Sequence, residues 1–260
     1  WFPRENLQIT FNGSTGFRSP NIDDVGKVFD SEPGSVVVPN PDLEPEYAYN
    51  VELGIQKNFK DKVVFKGAAF YTYLVDALVR RDYLFNGQEQ IEYNGVLSNV
   101  QAMQNAANAY VYGFEFGLEA FLSENLSLVS NLTLTEGIEE DIDGNDTPAR
   151  HVAPTFGDLH LVWKNQNFKA DVFLNYNGEI ANSNLATSEQ NKSYIYANDA
   201  NGLPYSPSWY TLNFRSQYNL TTALKVSLGL ENITDQLYRS YSSGIAAPGT
   251  NLILGVGYNF

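Results

Sequence analysis

The sequence contains no cysteine, a single methionine and two histidines, and its 16 basic residues are outnumbered by 30 acidic ones. Each shortage excludes a class of function. Without cysteine there is no disulfide framework, no thiol nucleophile and no thiolate metal site. A formal net charge of -14, with no cluster of Lys and Arg, excludes nucleic acid as a partner, because phosphates need concentrated positive charge. No apolar run reaches the ~18 residues that a transmembrane helix requires. The chain opens at Trp1 with no basic-then-apolar leader, which reads as a leader removed or as a piece of a longer chain. Gly-x-Ser-x-Gly elbows, phosphate loops and His-Glu-x-x-His are all missing, so no catalytic residue, metal site or bound cofactor is expected and the chain is not read as an enzyme.

What is present is aromatic and strand-forming. Tyr (17) and Phe (16) raise the aromatic share to 14% beside 20 Gly, a composition that favours β structure over helix. Apolar residues recur with period two, which sends alternate side chains to opposite faces of a strand. Leu7, Ile9 and Phe11 open the series, and the strand is expected to end at Asn12-Gly13. Tyr47, Tyr49, Val51, Leu53 and Ile55 alternate with Glu46, Ala48, Asn50, Glu52, Gly54 and Gln56. Similar runs surround Phe65, Tyr71, Tyr112, Phe114, Leu128, Leu161, Val172, Leu212, Leu228 and Leu254, about ten strands in all, each near the ~9 to 11 residues that a tilted strand needs to cross a bilayer.

A soluble sandwich would also alternate, and three features favour a membrane barrel. Tight turns are expected near 60, 124, 166 and 221, including Lys60-Asp61-Lys62, and they alternate with long loops at 13–45, 78–106, 136–152, 178–208 and 234–249. This is the asymmetry of outer-membrane barrels, with turns on one side and loops on the other. Aromatic residues gather at both strand ends, as rings do at two lipid interfaces. The polar face carries Glu52, Glu115, Glu119, Lys169, Asp171, Arg215 and Glu231, which a dry core would not hold unpaired. In lipid every strand edge must find a partner, and ten strands starting almost at Trp1 fit part of a larger barrel better than a closed one.

Gly16-Phe17-Arg18-Ser19-Pro20-Asn21, Asn40-Pro41-Asp42-Leu43-Glu44-Pro45-Glu46, Tyr112-Gly113-Phe114-Glu115, Glu231-Asn232-Ile233-Thr234-Asp235 with Tyr238, and the C-terminal Gly257-Tyr258-Asn259-Phe260 occur in this order. With these motifs the whole chain, residues 1–260, resembles the C-terminal barrel portion of a TonB-dependent outer-membrane receptor. The resemblance implies an all-β transmembrane antiparallel barrel of which these are the last ten of 22 strands, the plug and earlier strands lying outside the chain. It implies TonB-dependent uptake of an iron-carrying ligand, haem or a ferric siderophore, through the outer membrane of a Gram-negative bacterium. The partners it implies are outer-membrane lipid, lipopolysaccharide, the TonB complex through the plug, and a surface lipoprotein. The alternative reading is a passive pore or structural barrel of about ten strands.

Boxes similar to Phe17-Arg18-Ser19-Pro20 and Asn40-Pro41-Asp42-Leu43 are typical of haem and haemoprotein receptors in that family. Residues 21–39 nevertheless hold no His, Tyr or Met to ligate haem iron. The substrate-binding candidates are therefore Phe17, Arg18, Pro20, Asn40, Pro41 and Leu43, together with His151 from a separate outer loop. Arg18 has a competing structural reading, an ion pair with Asp23 or Asp24. His160 lies on a polar strand face. The acidic stretch Asp141-Ile142-Asp143-Gly144-Asn145-Asp146 resembles a calcium loop, but its glycine comes too early, and a solvated acidic face is the plainer reading.

Overall fold

The structure is a computed structural model in which all residues are described except Pro33, Asp61, Ile142 and Asp143. Asp61 of the first expected turn, and Ile142 and Asp143 of the acidic stretch, therefore lie outside the described residues. Ten strands pair antiparallel in chain order: β1 (Leu7–Arg18), β2 (Glu46–Phe59), β3 (Val63–Asp82), β4 (Val96–Phe121), β5 (Leu126–Glu140), β6 (Phe156–Lys164), β7 (Phe168–Asn177), β8 (Trp209–Asn219), β9 (Leu224–Glu231) and β10 (Asn251–Tyr258). Among the described residues β1 and β10 do not pair with each other, so the wall is an open sheet.

The wall is inverted relative to a soluble sheet. Along β2 the exposed positions are Tyr47, Tyr49, Val51, Leu53 and Ile55, while Glu46, Asn50, Glu52 and Gln56 between them are half-buried. At the far end Leu254 and Val256 are 72% and 76% exposed. A sheet that shelters its polar face and presents its apolar one is built for lipid outside and a wet interior. The polar face satisfies itself by cross-strand pairing. Asn131 donates to Asp158 at 3.0 Å, His160 bridges Asp158 (3.5 Å) and Asp171 (3.0 Å), and its ring stacks on Phe173. The Arg215 guanidinium lies 4.7 Å from the centre of the Phe173 ring and reaches Glu231 at 3.0 Å.

Connections alternate as the sequence predicts. Tight turns close β2 to β3, β4 to β5, β6 to β7 and β8 to β9, while the other side carries long loops. In the β6–β7 turn the Asn165 side chain accepts from the amides of Asn167 (3.0 Å) and Phe168 (2.8 Å), a local bond that substitutes for a backbone turn.

Three expected boundaries are corrected. β1 does not stop at Asn12-Gly13. It runs to Arg18, because Gly13 to Gly16 pair with Val51 to Ala48, and the ladder to β2 overrides their turn chemistry. The connection expected at 78–106 is mostly strand: β3 continues to Asp82 and β4 begins at Val96. β5 likewise runs on to Glu140, with a short strand, Asp146–Pro148, folded against it. With ~3.3 Å of rise per residue, the 26 residues of β4 far exceed a membrane's thickness, so β3 and β4 project beyond it.

That projection supports a small core of its own. A three-residue strand, Ser35–Val37, runs parallel to β4, and Gln90–Tyr93 pairs antiparallel beside it. Val36, Val38, Val100 and Ala102 are buried there under Tyr83, Phe85, Ile91 and Tyr93. Burying each valine contributes about 1.5–3 kcal/mol, enough to fix the loop 19–45 to the wall. A short helix, Ile22–Gly26, absent from the sequence reading, begins that loop. Asn21 caps it by accepting from Asp23 and Asp24, and the Asp24 carboxylate accepts from the Asn21 amide.

Candidate functional site

The first box is divided between the two faces of the wall. Phe17 points to the apolar face, 71% exposed, with its ring 6.3 Å from Tyr47, its register partner. Arg18 points to the polar face. Its ion-pair partner is Glu46 at 2.6 Å, not Asp23 or Asp24: cross-strand register places Glu46 directly opposite, and Asp23 instead meets Lys27. Glu46 is held in turn by the Leu78 amide at 2.7 Å. Pro20 is half-buried where the loop begins.

The second box is a rivet. Asn40 is 7% exposed, donates to the Met103 carbonyl at 2.9 Å and accepts from the Asp42 amide at 3.1 Å. Two residues past Asp42, the Glu44 backbone exchanges a pair of 2.8 Å bonds with the Asn105 amide group. Pro41 is exposed and Leu43 half-buried. The first box thus ends β1 and the second is bonded to Met103 and Asn105 of β4, while His151 belongs to a different cluster.

Apart from His151, that cluster was not legible in the sequence. Glu189, in the loop 178–208, is 0% exposed, and three outer loops converge on its carboxylate. Arg150 bonds Oε1 through Nε at 3.0 Å, the Tyr196 hydroxyl donates to Oε2 at 2.8 Å, and the Ser242 hydroxyl donates to Oε1 at 3.4 Å. His151 Nε2 lies 3.8 Å from Oε1, and the Tyr241 ring stands 6.2 Å from Tyr196. Burial raises the Tyr196 hydroxyl far above its usual range, with its bond to Glu189 acting in the same direction. Burial and the Glu189 charge push Tyr241 up to about 12. His151 is lowered, because desolvation and the nearby Arg150 outweigh the attraction of Glu189.

These shifts set a pH window for the clasp. Once the loops open, the tyrosines titrate near the ordinary value of about 10 and the histidine near about 6.5. Raised tyrosines stabilise the closed form fully below about pH 10, and that contribution is lost as pH rises through about 12. A lowered histidine contributes above about pH 6.5 and loses that contribution as pH falls. Amide exchange of residues 182–198, corrected for its intrinsic rate, is therefore expected to be slowest between about pH 6.5 and 10. A profile that stays flat to pH 12 would contradict this assignment.

The last loop, 232–250, is folded back by the Glu231-Asn232-Ile233-Thr234-Asp235 motif. Asn232 (φ 48) accepts from the Gln236 amide at 2.9 Å and donates to the carbonyls of Gln236 and Pro248. Asp235 accepts from the Thr250 amide at 3.0 Å, and a Cβ on Gly249 would stand 2.5 Å from the same carboxylate oxygen. This pinning places Tyr238 against Trp209 with ring centres 4.2 Å apart, and Tyr241 and Ser242 at Glu189.

An open, inverted antiparallel wall with tight turns on one side and interlocked loops on the other has a family counterpart. Residues 1–233 match the family described as TonB dependent receptor-like, beta-barrel. The chain belongs to this family. TonB-dependent receptor barrels are outer-membrane proteins, which agrees with the lipid-facing surface of the wall. Among solved structures, this TonB-dependent receptor chain resembles the ferric enterobactin receptor PfeA of Pseudomonas aeruginosa (TM-score 0.74, 14% identity, covering 99% of this chain and 39% of that one). It also resembles the siderophore receptor PirA of Acinetobacter baumannii (TM-score 0.73, 17% identity, 99% and 40%). A third likeness is to the FrpB iron transporter of Neisseria meningitidis (TM-score 0.70, 17% identity, 100% and 38%). The chain thus spans about two-fifths of the length of these structures, and at such identities the likeness is one of fold. No curated protein matches the chain. The family and these neighbours are receptors and transporters rather than enzymes, in keeping with the sequence reading.

Proposed function

We propose that this chain forms the last ten strands of a 22-stranded receptor in the outer membrane of a Gram-negative bacterium, which imports an iron-carrying ligand, a ferric siderophore or haem, by TonB-dependent transport. The observation that carries the proposal is the clasp. Three outer loops meet at one buried carboxylate on the loop side of the wall, an ordered mouth that a passive pore does not need. In this reading the plug and its contact with the TonB complex come from outside the chain, and lipid and lipopolysaccharide cover the apolar face. A surface lipoprotein that delivers cargo would meet the outer loops. Arg18, half-exposed at 48% with only its Nε engaged among the described residues, by Glu46, offers its remaining donors to an anionic group of the cargo, with Pro20, Pro41 and Leu43 as the other candidate contacts. Phe17 and Asn40 support that surface from the lipid side and from within. The receptor itself keeps no cofactor, and the iron is cargo.

The test is growth of iron-starved cells carrying the full receptor on ferric siderophores or haem as sole iron source, with and without TonB. Uptake is expected to need both receptor and TonB, and equal uptake without TonB would sink the reading in favour of a pore. Titrating the purified receptor with haem separates the two cargoes. An absorbance shift that disappears in His151→Ala assigns haem, and an unshifted spectrum argues for another cargo.

A further inference from the structure

A cavity of about 380 Å³ lies beside the clasp, where loop 232–250 folds over the first residue of β8. Its walls include Trp209, Tyr238, Tyr196, Ile195, Leu237 and Arg239. Three observations define what it would hold. The paired rings of Trp209 and Tyr238, together with Ile195 and Leu237, make an apolar and aromatic lining. Among the described residues Arg239 is the one charged side chain of that lining. Its only hydrogen bond among the described residues runs from Nη1 to the Ile195 carbonyl at 3.2 Å, so the remaining donors of its fork face no carboxylate. The indole Nε1 of Trp209 is buried and has no acceptor among the described residues, although buried donors are almost always paired. Glu189 does not offset the positive charge, since it is fully buried and already bonded to Arg150 and Tyr196.

We propose that this cavity binds a planar aromatic carboxylate, with the ring against Trp209 and Tyr238 and the carboxylate on Arg239. The unpaired indole N–H of Trp209, at the wall of the cavity, is a second donor for the occupant. The volume suits one or two fused rings. The site stands apart from the transport reading, because binding to it does not require that the occupant be carried inward.

The test uses the full receptor purified in detergent and isothermal titration calorimetry with 2-naphthoate, against 2-acetylnaphthalene, which keeps the rings and an acceptor but lacks the charge. Naphthoate is expected to bind about tenfold more tightly than the ketone, the scale of one charge-assisted bond. Arg239→Gln should erase that preference, and Trp209→Phe should weaken both probes about tenfold while leaving the preference in place. If naphthoate does not bind, or binds equally well to the wild type and to Arg239→Gln, the assignment is overturned. The arginine variant lies on an exposed loop, so the test stands even if the tryptophan variant folds poorly. None of these readouts depends on TonB or on iron, so failure here and failure of the uptake reading are separately visible.

Discussion

Replacing Glu189 with alanine is expected to release all three outer loops while leaving the wall intact. The substitution strands the Arg150 guanidinium, removes the acceptor of the Tyr196 hydroxyl and of the Ser242 hydroxyl, and opens a void at a fully buried position. Breaking one side of a buried ion pair costs about 3–5 kcal/mol. Arg150 is 36% exposed and can turn towards water, so about 2–3 kcal/mol is the better figure here. Each 1.4 kcal/mol is a factor of ten, so amides in 150–155, 182–198 and 238–243 of the full receptor should exchange about 30- to 150-fold faster. Amides in β1 to β3 should not change, because none of their ladder bonds involves the clasp. Glu189→Gln, which retains one acceptor oxygen but no charge, should fall between wild type and alanine. If exchange in the three loops is unchanged in Glu189→Ala, the carboxylate does not tie them together.

This clasp also separates what the sequence shows from what it conceals. Period-two alternation made the strands legible, and the polar-face acids and bases were assigned correctly, because each strand crosses lipid and its faces must differ. Where β3 and β4 rise beyond the membrane, neither face meets lipid. The stretch Val100-Gln101-Ala102-Met103-Gln104-Asn105 then loses its alternation and reads as loop, although it is strand. Gly13-Ser14-Thr15-Gly16 reads as the start of a loop for a different reason: local chemistry is visible in the sequence and a ladder to β2 is not. Arg18 was open to a structural ion pair, but its partner depended on a register that sequence spacing cannot supply. Glu189 sits in Thr187-Ser188-Glu189-Gln190, where an acid among polar residues gives no sign of burial. Its partners come from loops up to 53 residues away. The motif from Glu231 to Asp235 is visible as a family trait, yet its mechanism, a left-handed asparagine and a capping aspartate that fold a loop inward, depends on bonds to Gln236, Pro248 and Thr250 that sequence does not display.

Gly113→Ala is expected to damage assembly of the wall more than any other single-methyl change in β4. Gly113 faces the polar side opposite its register partner Phe70. A Cβ there would overlap the carbonyl oxygen of Leu134 in β5 and stand 2.9 Å from the Phe70 ring. A side chain could swing aside, but the carbonyl belongs to the β4–β5 ladder and cannot. Overpacking of this kind costs about 1–3 kcal/mol, and a backbone obstacle puts the value at the upper end. Two comparisons isolate the cause. Gly117→Ala, on the same strand and face, would meet only Asn131 Oδ1 at 3.5 Å and Lys66 Cβ at 3.6 Å, ordinary contacts, and should assemble normally. Phe70→Ala combined with Gly113→Ala removes the ring clash but not the carbonyl, so it should recover only part of the loss. The measurement is the fraction of full receptor that reaches a folded, protease-resistant form in the outer membrane. Equal yields for Gly113→Ala and Gly117→Ala would show that the glycine of Tyr112-Gly113-Phe114-Glu115 is not held by steric closeness. Full recovery in the double variant would shift the cause from the backbone to the Phe70 ring.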